Sequence, residues 1–404
     1  MPRGLIFVLL MLFIDTVGFG IIIPATPSLI VLLTGEGLSA AARYGGWLLF
    51  TYAAVQFFAA PVIGNLSDRF GRRPVLLVSM LAFGLDYLVM GLSRSLLWLF
   101  CGRALAGFCG ATFPTANAYV ADITPKEQRA KYFGLLGAAW GTGFIVGPAL
   151  GGLLATLGPR VPFFVAAGLA VANVAYGSFA LRESLPHEAR RPFSFRRANP
   201  IGGLLELRRF PVVVGLIGAL LFYQIAHDAN PSTWTYYAME KFHWSEFEVG
   251  LSMAFVGLTF AIVQAGLIGA IVARLGERRT VHIGLTLYVL GFMGLAFATR
   301  GWMVYACIIP FAFGTIANPS IKSIMSRAVP ANMQGALQGA LSSMMSLTAI
   351  VAPVMMTQLF SYFTGAAAPV YFPGVPFFTA GILTAVALVV ATLVLRYAAS
   401  REPA

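Results

Sequence analysis

The chain has 404 residues, 58% of them hydrophobic and 10% charged, with a formal net charge of +12 at neutral pH. Its mean hydropathy of +0.81 leaves too little polar surface to cover a water-soluble globule, which excludes a soluble enzyme. The positive charge is spread over short loops and not gathered in one patch, so it reads as contact with anionic lipid heads and excludes nucleic acid as a partner.

Apolar runs of about 20 residues, the length an α-helix needs to cross roughly 30 Å of hydrocarbon, recur from one terminus to the other. In chain order the predicted spans are 5–31, 44–64, 74–92, 96–120, 132–157, 161–181, 210–236, 247–272, 280–298, 302–325, 335–362 and 376–397, twelve in all. The first run is too long for a signal peptide and no small-residue cleavage site follows its apolar stretch, so it stays as a helix. An even number of spans puts both termini on one side. Of 27 Lys and Arg, 20 fall on that side, five (Arg43, Arg94, Arg160, Lys241, Arg300) on the other, and Arg103 and Lys322 within spans. Basic residues near helix ends are retained on the cytoplasmic face, so both termini are expected there. Cys101, Cys109 and Cys307 all lie within spans and are read as small packing residues, not a disulfide framework.

The longest polar stretch, 182–209, is rich in Arg and Pro and divides the spans six and six. The expected organisation is a first bundle at 1–181, a cytoplasmic linker at 182–209 and a second bundle at 210–404. An offset of 205 residues superimposes the halves without gaps: Gly64, Arg69, Gly71 and Arg73 fall on Gly269, Arg274, Gly276 and Arg278, and Pro114, Pro125, Gly134 and Pro148 on Pro319, Pro330, Gly339 and Pro353. Such a parallel repeat is how one large group of secondary transporters is built, with the solute bound between the halves near the midplane. The fold class expected is therefore an all-α membrane protein, with twelve transmembrane helices in two pseudo-symmetric six-helix bundles.

The loop after the second span reads Gly64-Asn-Leu-Ser-Asp68-Arg69-Phe-Gly71-Arg72-Arg73-Pro74. One acid among several arginines at a tight turn lets Asp68 meet both a guanidinium and the positive end of a helix, a charge lock able to break and reform. The copy at 269–279 has Ala273 in place of Asp68, so only the first lock is expected to be complete. In the fifth span, Gly134, Gly143, Gly147-Pro148 and Gly151-Gly152 form a second pattern. Glycines four apart make a groove for close helix approach, and Pro148 frees a carbonyl for bending.

These motifs resemble the major facilitator superfamily, and the fifth-span glycines resemble its antiporter motif. Residues 10–24 around Asp15, Asp86-Tyr87, Gly102-Arg103-Ala-Leu-Ala-Gly107, Phe242-His243-Trp244 and Ala273-Arg-Leu-Gly-Glu-Arg-Arg279 further resemble the proton-coupled tetracycline exporters over nearly the whole chain. The resemblance implies export of a small amphipathic, tetracycline-like drug in exchange for protons by alternating access. The alternatives are a proton-coupled metabolite transporter of the same fold and a non-transporting membrane receptor. The energy source implied is the proton gradient, with no cofactor and no metal, and a single chain in lipid suffices. The sequence departs from those exporters at Tyr288, where they have an acid, and at Phe260, where some carry a histidine.

A charge at membrane depth is costly and has to face water, a partner or a function. At about 1.5 Å per residue, Asp15 lies roughly 15 Å and Asp86 roughly 18 Å from the cytoplasmic side, and Arg103 lies near the level of Asp86, within reach for pairing. Asp15, Asp86 and Arg103 are candidate proton-coupling or substrate residues, joined by His227 and Asp228 as an outer titratable pair and by Gln224. Phe222, Tyr223 and Trp234 are expected beside Gln224 on the solute side of the seventh helix. Lys322, near the cytoplasmic end of the tenth span, is read as snorkelling to the interface.

Overall fold

The computed structural model describes residues 3–110, 112–125, 128–190, 207–330 and 333–400. Most of the expected linker, at 191–206, lies outside the described residues, as do Lys126 and Arg401 from the set of orienting basic residues. Twelve helices are long and apolar enough to cross a membrane: α1 Gly4–Thr34, α2 Leu38–Phe70, α3 Arg72–Leu92, α4 Leu96–Ile123, α5 Lys131–Ala155, α6 Val161–Ala180, α7 Pro211–Phe242, α8 Glu246–Leu275, α9 Glu277–Phe297, α10 Gly301–Ala328, α11 Gln334–Thr364 and α12 Val375–Ala399. The described residues contain no strand. Several helices run beyond their apolar stretch; α2, for example, continues through Ser67, Asp68 and Arg69 up to the turn at Gly71, whose φ of 107° only glycine adopts without strain.

The chain forms two compact units, Met1–Ala198 with Trp244–Gly257 and Asn199–His243 with Leu258–Ala404. Within the first unit, α1 packs on α5 and α6, and α3 on α4 and α6. Within the second, α7 packs on α11 and α12, and α9 on α10 and α12, the same pairs one repeat later. Buried side chains such as Leu5, Met11 and Leu136 fill the interior of the first unit, whereas Val171, Phe179, Leu290 and Val389 stand exposed where lipid replaces water as the solvent.

The fifth-span glycines divide by what they touch. A methyl group on Gly147 would lie 2.8 Å from the Gly20 Cα and from the Val17 carbonyl oxygen of α1, and one on Gly143 2.8 Å from the Thr16 Cβ. Gly151 is set the same way against Ile21. These three let the backbones of α1 and α5 meet with no side chain between them. Gly152 faces the start of α8 instead, where an added methyl would lie 2.9 Å from the Phe247 Cα. Gly134 has open space around it, so it takes no part in this contact, although sequence spacing groups it with the others.

Proline explains the interruptions of α4, α7 and α10. Pro114 has no N–H for the Gly110 carbonyl, and α4 divides there into Leu96–Cys109 and Thr112–Ile123. Pro319 does the same for Thr315, and α10 divides into Gly301–Gly314 and Ala317–Ala328. A glutamine satisfies each freed carbonyl: Gln56 Nε2 donates to Gly110 O at 2.6 Å, and Gln264 Nε2 to Thr315 O at 3.3 Å and to its hydroxyl at 2.9 Å. Gln264 sits in a π-helical turn, Ile262–Leu267, a form often found at functional sites. α7 divides at Asp228 into Pro211–His227 and Ala229–Phe242, with Pro231 unable to bond the His227 carbonyl.

Candidate functional site

In the first unit a cavity of about 240 Å³ opens between α1, α2, α3, α4 and α5. Asp15 lies in its wall among Phe19, Tyr52, Phe83, Tyr87 and Trp140, with Gln56 at one side. The interruption of α4 places Gly110 here, and Gln56 spans from its carbonyl to the Tyr52 hydroxyl, 3.1 Å away. The Tyr87 hydroxyl is buried and has no hydrogen-bond partner, so it is available to a group entering the cavity. Asp15 forms no ion pair among the described residues.

Asp86 and Arg103 sit behind this wall. They form an ion pair in which Asp86 is fully buried and Arg103 is 6% exposed. Gly102 makes the room, since a methyl group there would lie 2.5 Å from Asp86 Oδ1. The Arg103 guanidinium is also 6.0 Å from the centre of the Tyr52 ring. Asp15 thus lines the cavity, and Asp86 is closed off by its arginine.

In the second unit, His227 Nδ1 and the Tyr288 hydroxyl share a hydrogen bond of 2.7 Å. Tyr288 is fully buried in an aromatic cluster, 5.1 Å from the Tyr223 ring and 4.9 Å from that of Phe311. Phe260 stacks on His227 with ring centres 6.5 Å apart. Neighbours in sequence, His227 and Asp228 do not pair: the histidine turns to α9, and Asp228 Oδ1 accepts from Gln224 Nε2 one turn back at 3.3 Å. Two of the expected lining residues are displaced into the interior: Trp234 is 1% exposed and packs edge-on against Phe377 of α12, and Tyr223 is 2% exposed. Phe222, Gln224, His227 and Asp228 keep partial exposure, and so does Lys322.

The loop after α2 holds a larger network than its motif suggests. Arg72 is the hub: Nη1 meets Asp68 Oδ1 at 2.7 Å and donates to Ser67 Oγ at 2.8 Å, while Nε reaches Asp122 Oδ2 at 3.2 Å. Glu183, just past α6, accepts the backbone N–H groups of Arg72 at 2.8 Å and Arg73 at 3.2 Å. The positive end of α3 is therefore capped by Glu183 and not by Asp68, which meets only the guanidinium. Gly71 is required twice, by its φ and because a side chain there would strike the Glu183 carboxylate. Arg73 Nη2 donates to Ser178 O at 2.6 Å, tying the loop to α6. Arg69 is exposed beside the Phe70 ring, and Gly64 has open space around it, so neither belongs to the lock.

The corresponding loop after α8 is also closed, despite Ala273. Glu277 pairs with Arg327 of α10 and accepts from Ser323 Oγ at 2.7 Å. The repeat offset of 205 carries Arg72 onto Glu277 and Asp122 onto Arg327, so the same two positions hold the same ion pair with the charges exchanged. Sequence matching by residue identity misses this, because it looks for an acid at 273 and finds none.

Two repeated helix bundles, each tied by an ion-paired loop, one of them enclosing an aromatic-lined cavity with a carboxylate at membrane depth, define a polytopic membrane transporter. The family model of the Major Facilitator Superfamily matches residues 8–353 and 221–404, and the chain belongs to that superfamily. Similar proteins include the class C tetracycline resistance protein of Escherichia coli, 39% identical over 89% of this chain and 90% of that protein. The class G tetracycline resistance protein of Vibrio anguillarum is 38% identical over 91% and 92%, and multidrug resistance protein 2 of Bacillus subtilis 30% over 88% and 88%. Among solved structures, a bacterial homologue of the human lysosomal transporter Spinster shares the fold with a TM-score of 0.76 at 14% identity, over 97% of this chain and 96% of that one.

Proposed function

We propose that the chain exports a planar, amphipathic, tetracycline-like drug in exchange for protons, working by alternating access as a single chain. In this reading it lies in a bacterial inner membrane with both termini cytoplasmic, and the proton gradient supplies the energy. The observation that carries it is the cavity around Asp15. A carboxylate without a cationic partner, set among five aromatic rings at membrane depth, suits either a proton or the cationic edge of a flat molecule. Both cannot occupy it at once, which is the condition for exchange. At about 240 Å³ the cavity is smaller than the roughly 300–1,000 Å³ of a drug-sized site, so it receives one edge of the solute. The names of the similar resistance proteins support the choice of drug class.

The test of cargo is a growth-inhibition screen of drug-sensitive bacteria expressing the protein. Tetracycline tolerance should rise with the wild type and not with Asp15→Asn present at equal level. Equal tolerance in both, or none in either, overturns the reading. Orientation is tested by labelling: Arg190 should be reached from the cytoplasm and His243 from outside, and finding both on one side contradicts it.

A further inference from the structure

Asp15, Asp86 and Asp228 lie well inside the spanning helices, away from their ends, and two of them are accounted for. Asp86 has Arg103, and Asp15 opens on the cavity. Asp228 has neither. It stands at the interruption of α7, where its Oδ1 takes one long hydrogen bond from Gln224 and its Oδ2 is buried with no hydrogen-bond partner. An ionised carboxylate so placed is costly unless a proton or a cation neutralises it.

The groups around it supply no cation. On its own helix stand Tyr223, His227, Tyr236 and Tyr237, with Glu240 held by Tyr371 and Lys241 by the Ala296 carbonyl at the far end. From the helices packed on α7 come Lys322 and Arg327 of α10, Tyr362 of α11, and Arg396 and Tyr397 of α12. From α9 comes Tyr288, which bonds His227. Among the described residues none of these forms an ion pair with Asp228, and Arg327 is already paired with Glu277.

We propose that Asp228 is the proton-binding carboxylate of the second unit, with the His227–Tyr288 hydrogen bond positioning the interrupted turn of α7 that presents it. The proton adds to Oδ2, converting the carboxylate to a neutral acid, and leaves to water from the same atom when the site is exposed. His227 is a positioning residue, because its Nδ1 is committed to Tyr288 and its ring is stacked between Tyr223 and Phe260. This assignment rests on the proton-coupled reading above and adds a second site to it.

The experiment uses the purified full chain and two readouts. In the first, a pH-sensitive dye follows the protons released when tetracycline is added. Asp228→Asn should bind tetracycline yet release fewer protons per drug than the wild type, while Asp228→Glu keeps the full release. Equal release by Asp228→Asn and the wild type overturns the proposal. In the second, a carbodiimide that attacks protonated carboxyl groups is applied to the wild type across a range of pH, and its adducts are located by mass spectrometry. Modification of Asp228 that falls as the pH rises is expected, and an unmodified Asp228 at every pH overturns the assignment. This second readout needs no drug and no variant. It decides the role of Asp228 even if the wild type ignores tetracycline, which would sink the drug reading alone, or if Asp228→Asn fails to insert.

Discussion

The loops after α2 and α8 occupy equivalent positions in the two units and differ in how deeply their charges are held. In the first, the Arg72 side chain is 12% exposed and Asp122 23%, and Asp68, Ser67 and Glu183 close around them. In the second, Arg327 is 68% exposed against a Glu277 at 16%, and Ser323 donates a hydrogen bond to the same acid. The contact survives an exchange of charges because an ion pair needs opposite signs and not a particular order. What differs is desolvation, and with it the energy each lock can hold. The membrane interior shows the same divergence: the repeat places Gly291 and Ile308 where the first unit has Asp86 and Arg103. There the second unit packs aromatic rings, and a side chain on Gly291 would lie 2.7 Å from the Phe311 Cα.

The largest effect expected from breaking this comparison is at the buried pair. Arg103→Ala leaves Asp86 uncompensated and should cost about 3–5 kcal/mol of stability. Thermal unfolding in detergent checks this. Combining Asp86→Asn with Arg103→Leu should recover most of the loss, because the second unit packs the equivalent level without charge. Next comes the groove between α1 and α5: Gly147→Ala should cost about 1–3 kcal/mol by overpacking. Gly134→Ala, set in open space, should stay within about 0.5 kcal/mol.

The two locks sharpen the comparison further. Arg72→Ala removes the hub of a partly buried network and should cost about 1–3 kcal/mol. Arg327→Ala should cost under about 1 kcal/mol, since its side chain is largely in solvent. Exchanging the signs of the second pair, Glu277→Arg with Arg327→Glu, should leave transport closer to wild type than either single change. Asp68→Asn should keep the fold and slow transport, because the amide preserves shape but not the charge that holds Arg72; a normal rate would show that Asp68 is no part of the switch.

Twelve spans and the internal repeat were legible because apolar length and proline positions are local properties of the chain. The sequence pattern also indicated Asp15, Asp86, Arg103 and the arginine-rich loop. It did not reveal Glu183, whose role depends on the end of α6 returning to the start of α3, a contact across 111 residues. It placed Trp234 toward solute, because with Tyr236 and Tyr237 close by in the same segment the aromatic residues mark no single face of the helix. It took Tyr288 only as a departure from a family pattern, whereas the folded chain makes it the partner of His227. The pairing of Asp86 with Arg103 was within reach of the sequence reading, whereas the lack of any such partner for Asp15 and Asp228 among the described residues was set by the tertiary fold.

The central claim is that an unpaired acid in the first-unit cavity exchanges a proton for drug. Sealed vesicles containing the purified protein, with the lumen more acidic than the outside, test it most directly. On adding tetracycline, the account predicts that drug accumulates inside while the lumen becomes less acidic, that collapsing the pH difference stops both, and that Asp15→Asn shows neither. Accumulation that persists without the pH difference, or in Asp15→Asn, would contradict it.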